Sequence, residues 1–149
     1  MKIFIITILM SFSLVCFSQN WSKITKNDVT IIILQGVSGA ADGLNQKIVH
    51  HKFGEGNQFW DIKISWLNKY KSDRETPRFP GSTTVFVAWT DGFHATRGVD
   101  RKSSIISVGI SFGELKQYKK KDIPKVIAKK ALISWLANRA VFTLTYNSL

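Results

Sequence analysis

Five polar side chains with the chemistry of a metal or acid–base site fall in two short stretches of the 149-residue chain. Carboxylate and imidazole groups bind zinc or iron and exchange protons, and one amide accompanies them here. The three candidates in the first stretch are four residues apart, so their side chains lie along one stripe if that stretch is helical. In the second stretch, a carboxylate precedes an imidazole by three residues at the end of an apolar run. The five candidates are Asp42, Gln46 and His50, followed by Asp91 and His94.

Two interpretations of these residues remain open. The first is a divalent-metal site in a metal-dependent hydrolase, with the aspartates and histidines as ligands. The second is that Asp42 or Asp91 forms a buried ion pair with Arg97, Arg101 or Arg139, because charges in an apolar setting are normally paired. The chain contains no His-Glu-x-x-His motif, no cysteine pair, no nucleophile elbow and no phosphate-binding glycine loop. The pattern therefore favours ion pairs and a protein that is not an enzyme.

The first 18 residues have the pattern of a secretory signal peptide. A basic start at Lys2 is followed by the apolar run Ile3–Phe17, and small residues stand at the expected cleavage positions before Gln19. The run is shorter than the roughly 20 residues that span a bilayer, which favours a cleaved signal over a retained anchor. Cys16 is the only cysteine, so the mature chain has no disulfide. We expect an exported protein with a signal peptide over residues 1–18 and a single helical domain over residues 19–149.

The charge balance predicts an anionic counterpart. The chain has 21 Lys and Arg residues against 10 Asp and Glu residues, a net charge of +11. This excess attracts phospholipid headgroups, nucleic acid or acidic polysaccharide, and for an exported protein a membrane surface or an envelope protein is expected rather than nucleic acid. Aromatic residues among lysines over residues 59–71 are typical of a membrane–water interface, although a helix that only covers the core is the alternative. The predicted surface-binding residues are Trp60, Trp66, Tyr70, Lys119, Lys120, Lys121, Lys129 and Lys130.

The first long element, over residues 29–53, could be a strand or a helix. Its start is rich in β-branched residues, which favours a strand. Asp28 is a suitable helix N-cap, and small residues recur at four-residue spacing between residues 36 and 43, where they would let a second helix approach closely. These features favour a helix. Near the other end of the chain, Pro124 suits the first turn of a basic amphipathic helix.

The segment Ile105–Phe112 also allows two interpretations. Ile106, Val108, Ile110 and Phe112 alternate with serine and glycine, and this period of two predicts a strand. The alternative is a buried or lipid-contacting helix whose other residues are all small.

Three stretches of the chain resemble a set of small uncharacterised envelope proteins of Bacteroidetes-type bacteria. They are Ser-Gly-Ala-Ala-Asp-Gly-Leu-Asn-Gln at 38–46, Phe-Trp-Asp-Ile-Lys-Ile-Ser-Trp-Leu-Asn-Lys-Tyr-Lys at 59–71 and Gly-Ser-Thr-Thr-Val-Phe-Val-Ala-Trp-Thr-Asp-Gly-Phe-His at 81–94. The resemblance implies a helical, membrane-associated protein and assigns no functional residue. With it, we expect a mainly α fold, a small bundle of about four helices after the signal peptide, with α+β as the alternative. The polar character of the last elements argues against true membrane spanning.

Overall fold

The computed structural model describes residues 24–149, so the predicted signal peptide lies outside the described residues. Within this range the chain forms four α-helices, the second of which is a single turn, and it contains no strand beyond one isolated bridge between Tyr70 and Pro77. The predicted mainly α bundle of about four helices is therefore confirmed. The helices are α1 (Lys26–His50), α2 (Trp66–Lys69), α3 (Gly92–Leu115) and α4 (Ile123–Ser148).

The central helix is α1, which packs against both α3 and α4 while those two helices hardly touch each other. Contacts along α1 give the helix directions. Asp28 near its start contacts Lys130, and Ser38 contacts Asn138, so α4 runs parallel to α1. Ser38 also contacts Asp100, whereas residues nearer the end of α1 contact the first turn of α3, so α3 runs antiparallel.

The start of α1 is fixed by a reciprocal cap. The N-cap is Thr25, and not Asp28 as predicted. The backbone N–H of Asp28 donates to Thr25 Oγ1 at 3.1 Å, and the backbone N–H of Thr25 donates to Asp28 Oδ2 at 3.0 Å. This capping box satisfies two amides that the helix itself cannot bond. The β-branched residues that follow are accordingly helical, as the cap and spacing predicted.

The small residues of α1 make room for α4. A Cβ on Gly39 would overlap the carbonyl oxygen of Asn138, and one on Gly43 would lie 3.0 Å from the carbonyl oxygen of Phe142. The predicted close approach of a second helix is thus confirmed, with α4 as the helix that uses it. Pro124 also lies in the first turn of α4, as predicted.

Polar residues fill much of the interior, and apolar residues cover much of the outside. Among the described residues, only four apolar side chains are buried, namely Ile31, Ala41, Ile48 and Ile133. Eleven polar or charged residues are buried, and several of them bond one long helix to another. The buried polar residues are Asp28, Ser38, Ser65, Ser82, Thr90, Asp91, Thr96, Ser103, Ser107, Glu114 and Lys130.

Of the two interpretations left open for Ile105–Phe112, the structure has the helix, because this segment lies within α3. Ser103 and Ser107 face the interior, while Ile105 and Phe112 are 71% and 63% exposed. The apparent period of two arises because serine and glycine fill positions on both sides of the helix. The alternation therefore does not separate an inner face from an outer face.

The segment between α1 and α3 consists mainly of turns, so an amphipathic helix over residues 59–71 is realised only as the four residues of α2. Side chains of Asn57 and Asp61 accept hydrogen bonds from nearby backbone N–H groups, and such local bonds compete with helix formation. The segment is held to α3 by the backbone bond from Gly92 N–H to the Phe59 carbonyl at 2.8 Å. Trp60 packs so closely against Gly92 that a side chain there would overlap its ring.

Replacing Gly39 by alanine tests the close approach of α1 and α4. We expect Gly39→Ala to lower the free energy of unfolding by about 1–3 kcal/mol, because the added methyl group must displace backbone of α4. The matched control is Gly109→Ala on α3, where a Cβ meets nothing within 4 Å. This change should stabilise the protein by about 0.5–1 kcal/mol, since alanine has the higher helix propensity. Equal stability of the two variants in urea unfolding would contradict the packing described here.

Candidate functional site

A buried ionic cluster joins the three long helices at one end of the bundle. Lys130 Nζ on α4 lies 3.0 Å from Asp28 Oδ1 on α1 and 2.7 Å from Glu114 Oε2 on α3. Lys129 Nζ lies 2.6 Å from the other oxygen of Asp28, and the Tyr118 hydroxyl donates to Glu114 at 2.9 Å. Two carboxylates and two ammonium groups thus balance in charge, as buried charges must.

The cluster shifts the acidities of its carboxyl groups. Burial raises the pKa of Asp28, but the hydrogen bonds from Lys129, Thr25 and Lys130 outweigh it, and the pKa falls from 3.8 to about 2. Burial likewise raises the pKa of Glu114, and the hydrogen bond from Lys130 leads the groups that lower it below its ordinary value. Both groups are therefore carboxylates across the neutral range.

The middle of the bundle is joined by neutral and charged hydrogen bonds. The hydroxyl of Ser38 on α1 donates to Asp100 Oδ1 at 2.5 Å and lies 3.0 Å from the hydroxyl of Ser104, both on α3. Asn138 on α4 donates to the same hydroxyl at 3.1 Å. Among the described residues, every buried side-chain nitrogen and oxygen has a hydrogen-bond partner. The interior is therefore polar but fully satisfied, which is the condition for a stable polar core.

Asp91 and His94 form a third polar group at the start of α3. Asp91 is the N-cap of this helix and accepts from the His94 backbone N–H at 2.6 Å. The ring nitrogen His94 Nδ1 lies 2.9 Å from the carboxylate of Asp91. Lys69, at the end of α2, forms an ion pair with the same carboxylate. The predicted buried ion pair is thus present, but its cation is Lys69 and none of the predicted arginines. Its geometry ties the turn segment to α3.

A cleft of about 390 Å³ lies between the second half of α1 and the first half of α3. Polar and charged side chains line both walls, with one aromatic ring and one aliphatic side chain among them. From α1 come Asp42, Asn45, Gln46, Val49 and His50, and from α3 come Phe93, Arg97, Asp100 and Arg101.

The structure therefore divides the five predicted site residues between two places. Asp42, Gln46 and His50 share the α1 wall of the cleft, as the helical stripe predicted. Asp91 and His94 form the separate group with Lys69. Across residues 24–149, no three His, Cys, Asp or Glu side chains are grouped so that they could hold a metal ion. The candidate ligands Asp42, His50, Asp91 and His94 are thus not grouped at one place in the described residues.

The outer face of α3 carries apolar side chains toward solvent. Ile105, Val108 and Phe112 recur at spacings of three and four residues, and all three are more than half exposed. Just beyond them the chain continues into the exposed lysines Lys116, Lys119, Lys120 and Lys121. We call these seven residues the basic–apolar face. Of the helices in the described part of the chain, none has the length and hydropathy of a membrane span.

The predicted surface-binding residues separate into exposed and structural members. Lys119, Lys120 and Lys121 are exposed, as a binding surface requires. Lys130 is only 4% exposed, and both it and Lys129 use their charges in the ionic cluster, so neither contributes to an external basic surface.

The three aromatic residues that were predicted to bind a surface are half-buried within the turn segment. Trp60 makes edge contacts with Phe53 and Phe59, and the guanidinium of Arg74 lies 4.2 Å from the ring centre of Trp66. Tyr70 pairs with Pro77 in the isolated bridge. The rings of Trp60 and Trp66 therefore pack within the turn segment, and Tyr70 is tied to it through its backbone.

Sequence reasoning missed the α3 wall of the cleft as a unit. Arg97, Asp100 and Arg101 are spaced by three and one residues, which places them on one side of a helix. The spacing that groups these residues was therefore present in the sequence. It was not recognised because the residues that follow alternate like a strand, and because Arg97 and Arg101 were considered only as ion-pair partners.

No family model, curated protein or solved structure matches the chain. The proposals below are therefore based on two features of the structure, the cleft and the basic–apolar face.

Removing Lys130 tests whether the ionic cluster holds the bundle together. We expect Lys130→Ala to lower the free energy of unfolding by about 3–5 kcal/mol, because Glu114 loses its cation while remaining buried. Lys119→Ala removes the same charge from an exposed position and should change stability by less than about 0.5 kcal/mol. Chemical denaturation of both variants measures the difference. Similar stabilities would show that the cluster does not bear on folding.

The depressed pKa of Asp28 predicts acid sensitivity. The folded carboxyl has a pKa near 2 and the unfolded one near 3.8, so the unfolded chain binds more protons in this range. The contribution of Asp28 to stability is complete above about pH 5 and is lost as the pH falls toward 2, an effect on the order of 2 kcal/mol. Unfolding free energies measured between these pH values should fall more steeply for the wild type than for Asp28→Asn. Parallel pH profiles would contradict this assignment.

Proposed function

We propose that the protein is exported to the cell envelope and binds an anionic membrane surface through the basic–apolar face. Its role is binding rather than catalysis. The proposal includes the relationship that the sequence suggests, namely that the chain belongs with small exported envelope proteins. One observation carries the proposal: exposed apolar side chains on α3 lead directly into four exposed lysines.

The apolar part of the face supplies the contact with lipid. Side chains such as Ile105 and Phe112 each gain about 1.5–3 kcal/mol when they leave water for an apolar medium. They project from a regular helix, so they can enter the headgroup–acyl boundary together. This arrangement is typical of helices that lie in the plane of the interface.

The lysines supply attraction to anionic lipid. Each lysine near an anionic membrane contributes about 1 kcal/mol, and this contribution falls as salt is added. Lys116 and Lys119 through Lys121 follow the last turn of α3, so they lie at one end of the apolar stripe. A surface of this composition favours lipid over a purely apolar protein partner.

The polar interior supports the same proposal. The ionic cluster neutralises Lys129 and Lys130, and the apolar residues of α3 are left on the outside. A bundle that faced only water would gain by placing Ile105 and Phe112 inside and the serines outside.

Vesicle flotation tests the proposal. The purified mature chain should bind vesicles that contain phosphatidylglycerol more tightly than vesicles of phosphatidylcholine alone, and high salt should weaken the binding. Ile105→Ser combined with Phe112→Ser should reduce the affinity by about 100-fold or more, as roughly 1.5–3 kcal/mol is lost for each side chain that enters the lipid. Circular dichroism would verify that this variant keeps its helices.

Two variants that lose the same charge distinguish attraction at the basic–apolar face from attraction by the net charge of the whole protein. Lys119→Gln with Lys120→Gln should weaken binding by up to about 30-fold, from about 1 kcal/mol for each lysine. Lys63→Gln with Lys71→Gln removes the same charge from exposed positions in the turn segment and should have a much smaller effect. Equal losses in both variants, or binding that ignores lipid charge and salt, would overturn the proposal and leave an envelope protein as the counterpart.

A further inference from the structure

We propose that the cleft between α1 and α3 is a binding site for a small zwitterion that carries a primary ammonium group and a phosphate or carboxylate. This site is separate from the basic–apolar face, and the proposal does not depend on membrane binding. It rests on the distribution of charged groups on the two walls and on the volume between them.

The α3 wall offers two cations without a carboxylate partner. Arg97 and Arg101 are one helical turn apart and exposed, and neither forms an ion pair with any residue of the described chain. The guanidinium of Arg97 lies 5.6 Å from the centre of the Phe93 ring. Guanidinium groups bind phosphate and carboxylate through paired hydrogen bonds, so two of them one turn apart suit one anionic group.

The α1 wall offers the opposite charge. Within the described residues, Asp42 forms no hydrogen bond or ion pair, although it lines the same cleft as the two arginines. Asp100, the other acid of the cleft, is already bonded to Ser38 in the interior. Asp42 is therefore the carboxylate available for an ammonium group, and the amide of Gln46 lies one turn further along α1.

Charge and size select a zwitterion rather than a simple anion. The two arginines and two aspartates of the lining cancel, so a free anion would meet repulsion as well as attraction. A ligand with both charges satisfies Arg97, Arg101 and Asp42 together. A volume of about 390 Å³ lies at the small end of the range for ligand pockets, which fits an amino acid or a phosphoethanolamine group.

The probe for the first experiment is free O-phosphoethanolamine, titrated into the isotope-labelled mature chain and followed by amide chemical shifts. We expect shifts over residues 42–50 and 93–101, and an affinity at least tenfold higher than that of inorganic phosphate or ethanolamine alone. Equal binding of inorganic phosphate, the absence of binding, or shifts confined to other parts of the chain would each overturn the proposal.

Variants assign the two charges to the two walls. Asp42→Asn should weaken phosphoethanolamine binding at least about tenfold and leave the weak affinity for inorganic phosphate unchanged or improved. Arg97→Gln with Arg101→Gln should weaken binding of both anionic probes. Lys102→Gln is the matched control, because it removes a positive charge from an exposed neighbour that does not line the cleft. A loss with Lys102→Gln as large as that with Arg101→Gln alone would refute a specific site.

A second arm separates the two sources of this chemistry. Vesicles of phosphatidylethanolamine and phosphatidylcholine hold no anionic lipid for the basic–apolar face, so free phosphoethanolamine should release the protein from them if the natural ligand is a lipid headgroup. If it binds in solution but releases no protein, the ligand is a free zwitterion. The solution titration needs no vesicle, so failure of the cleft and failure of the basic–apolar face give different results.

Discussion

The bundle depends on the requirement that charges removed from water be paired. Asp28, Glu114, Lys129 and Lys130 come from three helices and neutralise one another in the interior. The two outer helices have little direct contact, and the ion pair between Lys130 and Glu114 is one of the few links between them. Replacing such a cluster by apolar residues is often neutral for stability, whereas removing a single partner leaves a buried charge unpaired and is strongly destabilising.

This polar interior determines what the outside of the protein presents. Ser103 and Ser107 occupy positions on α3 that an ordinary water-facing bundle would give to leucine or isoleucine. The apolar residues Ile105, Val108 and Phe112 of the same helix lie on the opposite side, where they are exposed to solvent. The proposed membrane contact and the ionic cluster are thus two results of one choice of residues. The cleft lies at the other end of α1, away from both.

The helical architecture could be predicted from the sequence, but only part of the pairing in the interior could. Small residues in α1 and Pro124 in α4 act locally, so their structural roles could be predicted from spacing. The partner of Asp91 could not, because Lys69 reaches it only through the fold of the intervening turns.

The burial of Lys129 and Lys130 was equally hidden. Lysines on an amphipathic helix normally face water, and their acids lie far away in the chain, at Asp28 and Glu114. The alternation over residues 106–112 left strand and helix open for a different reason. Serine and glycine fall on both sides of α3, so a period of two arises without a strand.

The central position of α1 has a consequence for how the protein folds. Its contacts with α4 join residues about a hundred positions apart, such as Ser38 with Asn138 and Asp28 with Lys130. Contacts of such long range slow folding, because a large loop must close before they form. The face of α1 that packs against α4 therefore gains its contacts only after the intervening α3 and the turn segment have been made.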